Sequence, residues 1–174
     1  MMEDVVRALG YATLGSRLKR IGEMLQAQTQ DLTSELAGTD LPTPQNPVLA
    51  ALDRQGPLSI GELARVLGQS QPGVTRMINR MKSDGLVAAR PHEDDRRVST
   101  IALTARGRNL VDHLKATLWP AVSLAVADAC RDLDGALLDQ LDQLETALAD
   151  KTLSARQTGQ PLPDWDTLTS AEEQ

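Results

Sequence analysis

Between Val5 and about Ala37 the apolar residues Leu14, Leu18, Ile21, Leu25, Leu32 and Leu36 recur at steps of four, three, four, seven and four. The spacing predicts one long amphipathic helix with a near-heptad stripe. A lone helix of that length has no place to bury the stripe, so a second copy of the chain or the carboxy-terminal helices should cover it. Gly10, Gly15 and Gly22 weaken this helix locally, and they are candidate points of close approach.

Gly38 to Pro44 interrupts the pattern. Asn46 before Pro47 reads as an N-cap and first-turn pair, which predicts a second helix from Pro47 to Arg54, ended by Gly56-Pro57. Ser59 should cap a short helix from Ile60 to Leu67, with Glu62 completing a capping box and Leu63, Ala64 and Leu67 facing inward. After Gly68, Ser70 should cap another helix, which buries Val74, Met77, Ile78 and Met81 and closes at Asp84-Gly85. Leu86 to Ala89 and Val98 to Leu103 read as two strands joined by a polar loop.

Thr104 should cap a long helix with Leu110, Leu114, Leu118, Val122 and Ala125 on one face, kinked at Pro120. Asp134 should open a last helix carrying Leu137, Leu141, Leu144 and Leu148. The fold class is therefore mainly α with a small β-wing: a winged helix-turn-helix domain flanked by long dimerisation helices. In domain terms, residues 1–40 and 104–150 form a helical dimerisation region, 41–103 the winged helix-turn-helix, and 151–174 a flexible tail in which Trp165 could dock on a partner subunit.

Charge adds a function to this plan. The net charge of −6 argues at first against a nucleic-acid partner, because binding phosphates depends on Lys and Arg. Its distribution reverses the inference. Residues 57–108 carry a net +4 and the remainder −10, so the basic charge is concentrated where the helix-turn-helix lies. Phe is absent, so the core must be aliphatic. One cysteine gives neither a disulfide framework nor a zinc cluster, and no cofactor or metal is expected. No apolar run approaches the roughly 18 residues that would span a bilayer, and the amino terminus lacks a signal-peptide pattern. A cytoplasmic protein without a membrane partner is expected.

The run LSIGELARVLGQSQPGVTRMINRMKSDGLVAARP resembles the helix-turn-helix of MarR-type transcriptional regulators, and DDRRVSTIALTARGR resembles that family's wing and following helix. With the flanking helices the resemblance covers about residues 5–150. It implies a homodimer on a pseudo-palindromic double-stranded DNA operator, often a repressor, often released by a small lipophilic or phenolic effector. His92 and Asp94 depart from the family's wing pattern.

Once Val74, Ile78 and Met81 are assigned to the core, Gln71, Gly73, Thr75, Arg76, Asn79 and Arg80 face outward, as a helix in a major groove requires. Ser70 and Gln71 would offer backbone N–H groups to a phosphate. Arg96 and Arg97 sit at the far side of the wing loop, where one could enter a minor groove while Asp95 orients an arginine or braces the loop, and Arg90 at the wing's base is as apt to hold a phosphate or a carboxylate as to read a base. Tyr11, Arg17, His113 and Trp119 are candidates to line an effector crevice between platform and reader. Cys130 reads as a packed helix residue rather than a redox sensor, since no resolving cysteine exists. No phosphate loop, metal spacing or nucleophile with a base is present, so no enzyme is expected. The competing reading is a protein-interaction module built on a winged helix that does not itself bind DNA.

Overall fold

Helices dominate the chain, in a computed structural model that describes residues 4–91 and 99–156. In order they are α1 (Val5–Ala8), α2 (Leu14–Ala37), α3 (Asn46–Gln55), α4 (Ile60–Val66), α5 (Gln71–Ser83), α6 (Ala105–Ala116), α7 (Leu118–Ala129) and α8 (Leu137–Asp150), with strands β1 (Val87–Pro91) and β2 (Ser99–Leu103) between α5 and α6. None of the helices in the described residues is long and apolar enough to cross a membrane. The chain divides into two compact units, one formed by Met24–Leu124 and the other by the chain before and after it.

The Met24–Leu124 unit holds the core. Leu49 of α3, Leu63 of α4, Val74, Ile78 and Met81 of α5, Ile101 of β2, Val111 and Leu114 of α6 and Leu118 of α7 are fully buried in one cluster. Burying each such side chain stabilises the fold by about 1.5–3 kcal/mol, so the aliphatic residues suffice without a single Phe. Leu32, Leu67, Met77, Leu110, Val122 and Trp119 pack at its margin, half-buried.

β1 and β2 pair antiparallel, with Val87 opposite Leu103 and Pro91 opposite Ser99. Each strand lies within a residue or two of its expected bounds. Pro91 is tolerated because β1 is an edge strand and Pro91 its last residue. An element not foreseen from sequence lies across β2: Leu58 N donates to Ile101 O at 3.0 Å and Ile101 N donates to Leu58 O at 2.7 Å. The segment before α4 is thus a one-residue third strand, which places β2 in the middle.

Four expectations are corrected. The helix expected over Val5–Ala37 is interrupted: α1 ends at Ala8 and a 3₁₀ turn over Gly10–Thr13 precedes α2, because Gly10 takes a φ of +50° that a helix cannot continue through. Gly15 and Gly22 have open space where a β-carbon would stand, so they mark no close approach among the described residues. Asn46 is not an N-cap, since a 3₁₀ turn over Thr43–Gln45 already leads into α3 and leaves Asn46 helical. Asp134 does not cap the last helix. Gly135 stands at φ +78°, which turns the chain, and α8 starts after Ala136 without a side-chain cap.

Pro120 acts as expected, but the break falls earlier, at Thr117 between α6 and α7. Pro120 thereby becomes the third residue of a new helix, where an N–H would have had no partner in the helix anyway. The caps at Ser59, Ser70 and Thr104 form as expected, accepting from the backbone N–H of Glu62, Gly73 and Gly107 respectively.

In the other unit, Asp4 caps α1 and pairs with Arg20 at 3.0 Å, and the Arg20 guanidinium holds the Asp4 carboxyl below its ordinary range. α8 buries none of its residues, and Leu138 is 74% exposed. Cys130, in the turn after α7, is half-buried and unpaired. After α8 the described residues end in a 3₁₀ turn at Ser154–Arg156; the rest of the expected tail, with Trp165, lies outside the described residues.

Candidate nucleic-acid interface

α5 is a helix with two unlike faces. Val74, Ile78 and Met81 are fully buried on one, while Gln71, Thr75, Arg76, Asn79 and Arg80 are exposed on the other. The helical period makes this split: residues three and four apart share a face, so the three core positions fix where every other side chain points. The exposed row runs from the helix's first residue to its last turns and combines amide, hydroxyl and guanidinium groups, the donors and acceptors that can pair with base edges.

The start of the row is tightly built. Ser70 Oγ accepts from Gly73 N at 3.4 Å, and a β-carbon on Gly73 would stand 3.1 Å from that same oxygen. Gly73, half-buried, therefore leaves room for the cap. The Gln71 amide lies against Gly61 of α4, whose β-carbon would come within 3.4 Å of it. Thr75 Oγ1 donates to Gln71 O at 2.8 Å, which leaves its methyl group free to meet a thymine methyl.

Arg90 is exposed on β1, and its carbonyl accepts from the hydroxyl of buried Thr100 at 3.2 Å, which anchors the base of the wing. Arg96 and Arg97, with His92, Asp94 and Asp95, lie outside the described residues.

Two of the effector candidates, Trp119 and His113, lie in the Met24–Leu124 unit and have different partners there. Trp119 lines a cavity of about 370 Å³ with Gln26 and Thr29 of α2, Pro47 of α3 and Val122 of α7; the cavity also reaches Gln69, which sits immediately before the cap of α5. The Trp119 indole N–H donates to Asn46 Oδ1 at 2.9 Å, and Asn46 Nδ2 donates to Thr43 O at 3.2 Å. His113 is used elsewhere: its Nε2–H donates to Ala37 O at 3.1 Å, satisfying a carbonyl at the end of α2. Tyr11, 80% exposed in the 3₁₀ turn, and Arg17, half-buried on the first turn of α2, belong to the other unit. Sequence reasoning missed Gln69, Asn46 and Thr43 as lining residues, because polar residues in a connection carry no periodic signal.

Comparison with known proteins bears on the same region. Residues 39–98 match the model described as the MarR family. The stretch that holds the helix-turn-helix is thus similar to the MarR family. The transcriptional activatory protein BadR of Rhodopseudomonas palustris is 40% identical over 81 residues, covering 45% of this chain and 46% of BadR. The HTH-type transcriptional repressor IacR of Pseudomonas putida is 31% identical over 87 residues, covering 50% of this chain and 52% of IacR. The chain thus spans about half the length of the curated MarR-type relatives it matches. Among solved structures, Bordetella bronchiseptica BpsR, whose DNA binding is described as regulated by 6-hydroxynicotinic acid, is 25% identical with a TM-score of 0.60. That match covers 79% of this chain and 98% of BpsR.

Proposed function

We propose that this chain is a DNA-binding transcriptional regulator that acts as a homodimer on a pseudo-palindromic operator. The observation that carries the reading is α5, with Gln71, Thr75, Arg76, Asn79 and Arg80 exposed above a floor of fully buried Val74, Ile78 and Met81. Such a helix enters a major groove, where Arg76 and Arg80 can pair with guanine, and Gln71 and Asn79 with adenine. Ser70 and Gly73 present the helix N-terminus to a phosphate, and Arg90, Arg96 and Arg97 grip beside it.

Dimerisation is supported by the uncovered apolar stripes. Leu18, Ile21 and Leu25 of α2 and Leu148 of α8 are each more than a third exposed, and a second copy would cover them. With two-fold symmetry, the half-sites stand about one helical turn, roughly 10 bp, apart. BadR is named an activator and IacR a repressor, so the sign of regulation follows from where the operator lies. An operator overlapping the promoter makes this chain a repressor.

Release by a small lipophilic or phenolic effector is supported by the cavity beside Trp119. Among the described residues none that line it is charged, and through Gln69 it adjoins the cap of α5. A ligand there would bear directly on the position of the reading helix.

A binding selection on random duplexes tests the proposal. An enriched inverted repeat whose affinity falls steeply with salt is expected. No enrichment at low salt would overturn it in favour of a module that binds another protein.

A further inference from the structure

Gly61 is the second residue of α4, and nothing in its backbone calls for glycine, since it is helical without a positive φ. Glycine weakens a helix relative to alanine. Core packing does not call for it either. Among the described residues, and beyond its own turn of helix, a β-carbon built on half-buried Gly61 would meet one atom within 4 Å, the side-chain nitrogen of Gln71 at 3.4 Å. What the missing side chain keeps open is therefore the place of the Gln71 amide.

Both sides of this contact are held. Ser59 N donates to Glu62 Oε2 at 2.8 Å and Glu62 N donates to Ser59 Oγ at 3.2 Å, so the capping box closes around Gly61. Ser70 caps α5 one residue before Gln71. Between the two helices the chain turns at Gly68, with φ +60°, and Gln69 N donates to Ala64 O at 2.9 Å. Leu63 and Ala64 of α4 share the core with Val74 and Ile78 of α5, so close packing keeps the helices from sliding to reopen the gap. Gln71 itself is exposed, and a glutamine loses much side-chain freedom when it pairs with a base. A resting place against a fixed helix removes part of that cost beforehand.

We propose that Gly61 is a positioning residue for base recognition: by carrying no side chain it lets the Gln71 amide lie against α4, from where it pairs with the edge of an adenine. The inference rests on the reading of α5 as the helix that enters the major groove. It gives α4 a part in sequence choice through a residue that itself touches no base.

Selections on random duplexes, run with the full chain and with its Gly61→Ala, Gly61→Leu and Gln71→Ala variants, test this. An alanine β-carbon stands at ordinary contact distance from the amide, so Gly61→Ala should keep the wild-type site. Leucine fills the space of the amide. Gly61→Leu should therefore lower the adenine preference about tenfold at one position of each half-site, the position that Gln71→Ala also affects, and leave the other positions unchanged. Gly61→Met, of similar bulk and greater flexibility, should do the same, and urea midpoints should show each variant folded. In a double-mutant cycle on the wild-type site, Gly61→Leu added to Gln71→Ala should weaken binding by no more than about twofold further. An adenine preference that survives both bulky variants overturns the inference. So do a loss spread evenly over all positions, losses that multiply in the cycle, and a Gln71→Ala chain with unchanged base preference. If the wild-type chain enriches no site, the reading of α5 falls and this inference falls with it; an enriched site that bulk at Gly61 leaves untouched overturns the inference alone.

Discussion

Gly107 of α6 lies so close beneath Leu86 that a β-carbon added to it would stand 2.1 Å from the Leu86 carbonyl oxygen. The same oxygen accepts from Thr104 N at 3.0 Å and Thr104 Oγ1 at 3.2 Å. The start of α6 is thereby locked to the entry of the wing. On an open helix surface Gly→Ala would gain about 1 kcal/mol. Here overlap decides the sign: Gly107→Ala should lose about 3 kcal/mol or more, measured as a fall in urea midpoint. A stabilised variant would show that the contact relaxes freely.

Arg76 is exposed in the middle of the α5 row. Arg76→Ala should weaken specific binding by about 1–3 kcal/mol, roughly tenfold to a hundredfold, with a smaller loss on random duplex. Equal losses on the two duplexes, in competition gel shifts, would assign the side chain to phosphate.

Trp119 and Asn46 are joined by one hydrogen bond at the cavity's edge. Trp119→Phe keeps an aromatic ring and removes the donor, so stability should fall by about 1 kcal/mol with an unchanged denaturant slope. A double-mutant cycle with Asn46→Ala should return a coupling of at least about 0.5 kcal/mol. Additive losses would mean that the bond contributes nothing.

Leu141 and Leu148 lie on the α8 stripe, half-buried and exposed respectively in the single chain. If a second copy covers them, Leu141→Glu with Leu148→Glu should shift sedimentation toward monomer and weaken operator binding, while the Met24–Leu124 core remains folded. A dimer of unchanged strength would move the interface elsewhere.

The local devices were legible because their cause is local. Ser59 with Glu62 forms its capping box within one turn, and the spacing of Val74, Ile78 and Met81 alone decides which face of α5 is buried. The interruption at Gly10 was not legible, since an isolated glycine in a helical pattern can be tolerated and does not by itself announce a positive φ. Nor was the role of Asn46. Its side chain is engaged by Trp119, 73 residues away, and Asn-Pro in sequence looks the same whether or not that partner arrives. Gln45 beside it reads as a loop residue, and only tertiary packing closes it from solvent. Of the interface residues, the faces of α5 could be deduced from periodicity, whereas His113 and Trp119 were grouped by chemistry, and chemistry alone does not say that one bonds Ala37 O and the other Asn46.

The pair of hydrogen bonds between Leu58 and Ile101 has a kinetic meaning. All the residues assigned to DNA, from Ser70 to Arg97, lie on the stretch of chain that this pair closes into a loop. Closing a long loop has an entropic cost that must be met before its contacts repay it, so the reader should be the late-forming part of the fold. Once closed, the loop holds α5 and β1 on a common base, so the DNA binding proposed above would not have to order these two elements relative to one another.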